Sequence, residues 1–395
     1  MNNFSDDEVN KKLHSFKNRH YTASSMTLVV QSQETIDTLE KLVLDSFSAV
    51  PNNGLGKEIY PDFFDTFDLG QYHKLIKVQT LKDIYRLDFN WMLRPLYKEF
   101  KCKPLLYLVS MINNETVGSL ADFLKTKSWA IGVYAGRPET TTTSEFRISI
   151  SLTKTGFEAV DQVCRAVFSY LKMLAHEGPK EWIFNEIKEM KELSFKYRNE
   201  PEPVSNVDFL SESMQEEWSS EFFFTGAWLV HNYNPKLIQE CMNALTPEKV
   251  CLVLSSNKYS KICDQTERWK KTNYSVEDIP QKWKIVQSYP EFHLPEPNIF
   301  ITKDTNLKQI EPSQITPVTE RYNEKTTLYI TIIYVYLTYN IFSLGKRSRY
   351  HLRFSTGPGY SRNDISILQN ITSQKNCTDV LSKTSCFFKQ EEKSQ

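Results

Sequence analysis

Apolar positions in the N-terminal segment follow a helix–strand–helix rhythm. Val9, Leu13 and Phe16 recur at helical intervals and predict an amphipathic helix over residues 7–20. Residues 26–31 (Met-Thr-Leu-Val-Val-Gln) predict a short buried strand from their β-branched content. Ile36, Leu39, Leu42, Val43 and Phe47 predict a second helix over 34–48, ended by the turn residues Pro51, Gly54 and Gly56. One strand and two helices cannot close a core, so this segment reads as part of a domain.

After a linker rich in Asp and Phe (57–72), a fuller pattern begins. Residues 73–79 and 84–91 alternate as strands do, and 104–112 and 119–127 carry helical patterns. The second of these helices opens with Ser119-x-x-Asp122, a capping sequence. Strands are expected again at 129–134 and 146–152. Thr155-Gly-Phe-Glu158 reads as a capping box for a long helix with the stripe Phe157, Val160, Cys164, Val167, Leu171 and Leu174. Gly178-Pro179 stops it and places Pro179 in the first turn of the next helix, whose stripe runs Trp182, Ile183, Ile187, Met190, Leu193 and Tyr197. Helices over 204–216 and 235–245 and a strand over 250–255 complete the pattern. The fold class is α+β, a mixed sheet with helices packed on one face. Beyond 256 the chain reads as a polar, proline-punctuated connector.

Composition narrows the function classes. The 48 basic and 48 acidic side chains cancel, whereas a nucleic-acid binder usually carries a basic excess on one face. No nucleic-acid partner is expected. Seven cysteines occur singly with no C-x-x-C, and the N-terminus lacks a basic and apolar leader. Reduced thiols in a cytoplasmic protein are the plain reading, and the five N-x-S/T sequons are then chance matches.

The end of the chain departs from this composition. No charge lies between Lys325 and Lys346, a gap long enough for a membrane span. Its Thr, Tyr and Asn340 content also suits a strand, and a span is the disfavoured reading. Residues 329–395 read as a divergent, disordered tail, either a non-native extension or a diverged strand.

Several blocks in order carry a resemblance over residues 8–328. They include Leu13-His-Ser-Phe-Lys-Asn-Arg-His-Tyr21, Gly118-Ser-Leu-Ala-Asp-Phe-Leu-Lys125, Phe168-Ser-Tyr-Leu-Lys-Met-Leu174, Glu177-Gly-Pro-Lys-Glu-Trp-Ile-Phe184, Leu245-Thr-Pro-Glu-Lys-Val250 and Asn273-Tyr-Ser-Val-Glu-Asp-Ile279. The chain resembles the nardilysin and insulin-degrading branch of the pitrilysin-type zinc metallopeptidases. The resemblance implies the C-terminal part of a first, catalytic-type peptidase domain (1–56) and one complete, non-catalytic peptidase-like domain (57–256). A connector toward a third domain (257–328) follows.

The family's chemistry needs H-x-x-E-H on one helix, where two histidines a turn apart hold zinc and the glutamate activates water. None of His14, His20, His73, His176, His231, His293 or His351 stands in that pattern. No catalytic residue, metal ligand or cofactor is therefore expected in this chain, zinc belonging to the full-length relatives. The resemblance also implies a peptide exosite, where a substrate's N-terminal segment adds a strand to a sheet edge. The matching positions are Asn114, Glu115, Gly118, Val133, Tyr134, Ala135 and Gly136. Two departures stand out: Asn114-Glu115-Thr116 replaces His-Glu-Gly, and Ala135 replaces a glycine. Expected partners are peptides or a full-length homologue, in a substrate-holding or regulatory role without hydrolysis.

Overall fold

The computed structural model describes residues 6–55 and 72–304, with the dipeptides 335–336 and 369–370. The reading of 57–72 as a linker falls outside the described residues but for Tyr72, and that of the tail as disordered does so but for those two dipeptides. In chain order the elements are α1 (Asp6–His20), β1 (Thr27–Leu28), α2 (Ile36–Phe47), β2 (Leu75–Gln79), β3 (Tyr85–Leu93), α3 (Pro104–Ile112), α4 (Leu120–Thr126), β4 (Ala130–Gly136), β5 (Ser144–Leu152), α5 (Lys154–Glu158), α6 (Val160–Glu177), α7 (Glu181–Lys196), α8 (Pro203–Gln215), α9 (Pro235–Ala244), β6 (Val250–Ser256), β7 (Gln265–Thr266), β8 (Asn273–Glu277), β9 (Val335–Tyr336) and β10 (Gln369–Asn370). They fall into two compact units. One draws its described residues from 1–59, 198–227 and 306–395, the other from 60–197 and 228–305.

In the first unit the expected strand over 26–31 shrinks to the two residues of β1, paired antiparallel with β9 and β10. Helix α2 starts where Thr35 accepts a hydrogen bond from the Thr38 N–H at 3.3 Å, a side-chain N-cap. The chain after α2 folds back onto α1, where the Asn53 amide donates to the Arg19 carbonyl at 2.8 Å. That bond satisfies an acceptor left open at the end of α1. Two small clusters hold the unit: Val29 with Val207, Leu210 and Met214 of α8, and Leu28 and Val30 with Leu39, Val43 and Phe47. The helix that completes this unit thus comes from far along the chain.

The second unit is built on a seven-stranded sheet in the order β4-β5-β3-β6-β2-β8-β7. Strand β2 runs parallel to β6, and the other neighbours are antiparallel. Alternation in β3 and β5 sends Leu87, Phe89 and Trp91, and Phe146, Ile148 and Ile150, to one face, all of them fully buried. Trp91 lies opposite Phe146 on one side and Val250 on the other. Phe168 of α6 meets Phe89 edge-on at 5.6 Å, so helix and sheet interlock through aromatic rings. The opposite face of β3 and β5 is polar. There Arg147 donates to Asn90 at 2.9 Å and to Glu145 at 3.0 Å, and Arg86 to Asp88 at 2.8 Å. This is the α+β arrangement with helices on one face.

Three local expectations are corrected. The long helix opens not at the box Thr155–Glu158 but at Thr153, whose hydroxyl accepts from the Gly156 N–H at 2.9 Å. Gly156 packs so close to the Trp129 carbonyl that a Cβ would lie 1.9 Å from its oxygen. The first turn is pinned there, and the regular helix restarts as α6. Pro179 precedes the N-cap Lys180 and is not in the first turn of α7. The connector after 256 is not merely polar linker. It adds β8 to β2, then packs Phe292 against Phe123 at 4.9 Å and Tyr170 at 5.2 Å.

A candidate peptide-binding edge

Strand β4 ends the sheet on one side, pairing among the described residues with β5 alone. Two short helices prepare what lies beside it. Helix α3 begins with Pro104 at its first turn and stops at Asn113, and α4 begins at Ser119, whose hydroxyl accepts from the Asp122 N–H at 3.1 Å. The loop between them, 113–119, carries three of the expected exosite residues. Strand β4 carries the other four.

Each of these residues has a definite environment. Asn114 folds onto its own loop and accepts from the Thr116 N–H at 2.8 Å. Glu115 pairs with Lys125 at 2.8 Å, an exposed ion pair worth little. Gly118 adopts φ +85, and a Cβ there would stand 2.3 Å from the His293 ring, while the His293 N–H donates to the Gly118 carbonyl at 3.2 Å. The glycine therefore serves the packing of the connector. Val133 and Ala135 pair with Ile150 and Ile148 of β5. Ala135 is buried, whereas Tyr134 is exposed. At Gly136 a Cβ would meet the Tyr134 ring at 3.4 Å.

One residue of this edge escapes the sequence reading. Asn113, the C-cap of α3, accepts from the Ala135 N–H at 2.6 Å and offers its amide to the Ala135 carbonyl at 3.4 Å. It brings loop and strand together. An Asn at a helix end is the sequence signal that was available.

Elsewhere in this unit Lys103 stands at φ 47 just before α3, and its ammonium donates to the Leu229 carbonyl at 2.6 Å. Burial pushes its pKa down to about 7, with Arg137 lowering it further, Glu139 opposing and Lys191 adding repulsion. His231 is shifted downward by burial and by Lys103, Lys188 and Lys101, with Glu192 opposing. Among the described residues no group of three or more His, Cys, Asp or Glu could hold a metal ion.

Residues 9–191 match the peptidase M16 inactive domain, and residues 195–331 match the middle or third domain of peptidase M16. The chain belongs to the peptidase M16 family. Its M16 relatives include mouse nardilysin, 38% identical over 314 residues covering 77% of this chain and 27% of that protein. Insulin-degrading enzyme-like 2 of Arabidopsis thaliana is 31% identical over 329 residues, 82% of this chain and 34% of that one. The chain thus spans about a quarter to a third of the length of these relatives. The crystal structure of pitrilysin superposes with a TM-score of 0.69 at 24% identity, over 76% of this chain and 32% of that chain, and shares the fold. Among the described residues no helix is long and apolar enough to cross a membrane.

Proposed function

We propose that this chain is the substrate-holding, non-hydrolytic part of a nardilysin-like peptidase, binding an extended peptide along the outer edge of β4. The observation that carries this reading is the position of β4, a terminal strand beside a loop, in an M16 chain whose 395 residues contain no H-x-x-E-H. Residues 57–256 would provide the non-catalytic domain, 1–56 the end of a catalytic-type domain and 257–328 a connector to the next. The binding residues would be Val133 and Ala135 through their backbone, with Tyr134 beside them and Asn114, Glu115 and Gly136 at the rim, while Gly118 would hold the loop in place against His293. Strand addition needs only main-chain groups and tolerates many sequences, which suits a holder of varied peptides. The described cysteines, Cys102, Cys164, Cys241, Cys251 and Cys263, are free thiols, which agrees with a cytoplasmic setting.

The test is binding and cleavage by the purified chain, using a fluorescein-labelled insulin B chain and a quenched dibasic peptide with a chelator control. Saturable binding without chelator-sensitive cleavage is expected. Val133→Pro, which removes an edge N–H, should abolish the binding. Chelator-sensitive cleavage, or binding indifferent to Val133→Pro, would sink the reading.

A second role, pairing with a full-length homologue, is favoured by the first unit. Helix α2 buries no residue, and Val9, Leu13, Leu42 and Leu44 are exposed. Co-purification of tagged chain with a full-length nardilysin, lost on Leu13→Glu, would mark this role. Indifference to Leu13→Glu would remove it.

A further inference from the structure

The hydrogen bonds of Asn113 have a consequence for the edge just described, and this inference rests on that reading of β4. We propose that Asn113 is an internal occupant of the peptide edge, a side chain that must swing out before a peptide strand can be added.

A side-chain carboxamide is chemically a peptide group. By taking the N–H and facing the carbonyl of Ala135, Asn113 makes the two bonds that one residue of an added antiparallel strand would make. Period two along β4 places the Val133 N–H and carbonyl on this same outer side. An incoming peptide therefore needs the groups of both Val133 and Ala135, and Asn113 holds the second pair. The other end of the edge is set by the start of β4, where the Trp129 carbonyl faces β5 and accepts from the Thr153 N–H at 3.0 Å. A register irregularity between Ala130 and Gly132 breaks the ladder just beyond it. What is left between this irregularity and Asn113 centres on Val133. Strands run to at least about three residues and commonly about five or six, so this remainder is too short to hold one.

Occupation by Asn113 is reversible by construction. Asn113 is itself exposed at the end of α3, so a rotated carboxamide reaches water at once. The bond to the carbonyl is long at 3.4 Å and the bond from the N–H short at 2.6 Å, so one strong contact and one weak one are exchanged for those of the peptide. The device also protects an otherwise open strand from pairing with unrelated chains, a hazard of every sheet edge.

The test is a comparison of wild type, Asn113→Ala and Asn113→Asp, each as the full chain. Binding of fluorescein-labelled insulin B chain is measured by anisotropy and exchange of the Ala135 amide by NMR. Removing the competitor should tighten binding about fivefold, the factor for about 1 kcal/mol per net hydrogen bond. Asn113→Asp keeps the acceptor for the Ala135 N–H and should stay close to wild type. Exchange at Ala135 should speed up in free Asn113→Ala and slow again with peptide. Equal or weaker binding by a folded Asn113→Ala overturns the proposal while leaving the peptide edge standing. Unchanged exchange at Ala135 overturns it as well. If no variant binds, the peptide edge falls and the proposal with it, whereas binding by Asn113→Ala alone would be its strongest support.

Discussion

The two units of this chain solve the same problem to different depths. In the second, Trp91 is covered by neighbouring strands on both sides and by the aromatic ring of Phe168. In the first, α2 presents a well-formed apolar stripe and buries none of it fully, its Leu39, Val43 and Phe47 only leaning on Leu28 and Val30. Both segments are amphipathic, so periodicity alone does not make a core. A stripe becomes a core only when chain from elsewhere closes over it, and helical stability comes mostly from such packing.

The sharpest way to break this comparison is a pair of truncations. Trp91→Ala should cost about 3–5 kcal/mol by leaving a cavity at the centre of the sheet. It should abolish cooperative unfolding of the second unit, followed by tryptophan-independent circular dichroism in urea. A cost for Leu42→Ala approaching that size would erase the contrast. Next in size is Gly118→Ala, expected to lower stability by about 1–3 kcal/mol because the residue sits at positive φ against the His293 ring. Combining it with His293→Ala should recover the steric part of that loss but not the backbone strain. Full recovery would show that φ at this position is unimportant.

A pH titration sharpens the picture of the second unit. The Lys103 amine has a folded pKa of about 7, against about 10.4 when unfolded. Between these values the unfolded chain holds a proton that the folded chain has released, so stability must rise with pH. The burial cost is full below the folded value and vanishes above the unfolded one. Cys102 and Cys251, pushed up to about 11 by burial, act in the opposite sense once unfolded thiols ionise. The clean window therefore lies between about pH 7 and 8, with a slope of up to about 1 kcal/mol per unit. Lys103→Met should flatten it, and an unaltered slope would remove Lys103 as the cause. The smallest effect expected is that of Leu42→Ala, within about 0.5 kcal/mol, as befits an exposed position.

Most of the second unit was legible because its signals are local. Pro104 and Ser119 mark helix starts by chemistry that needs no tertiary partner, and the alternation of Phe146, Ile148 and Ile150 is read directly as a buried face. Strand β8 was not, because only Ser275 of its residues is buried and its apolar content is too thin to announce a strand. The start of the long helix was misplaced by two residues because the decisive contact, Gly156 against the Trp129 carbonyl, joins segments that no pattern links. The seven exosite positions came from resemblance, and the structure sets four of them on β4 and three on the adjoining loop. Asn113 was missed for the reason Gly156 misled: its partner is 22 residues away. The zinc question is of another kind, since a short motif is either present in a sequence or not.

The parallel pairing of β2 with β6 joins Leu75 to Leu252. On a ribosome adding about 5–20 residues per second, β2 would wait roughly ten to thirty-five seconds for that partner to be synthesised. Meanwhile β3 can zip only onto β5, leaving its flank toward β6 open to any passing chain. Silent codon changes or a stall within the stretch encoding α6 to α9 would lengthen this interval without altering a single residue. Yield of folded protein in a cell should then track elongation speed and chaperone supply, while refolding from urea, where all strands are present at once, should be indifferent to both.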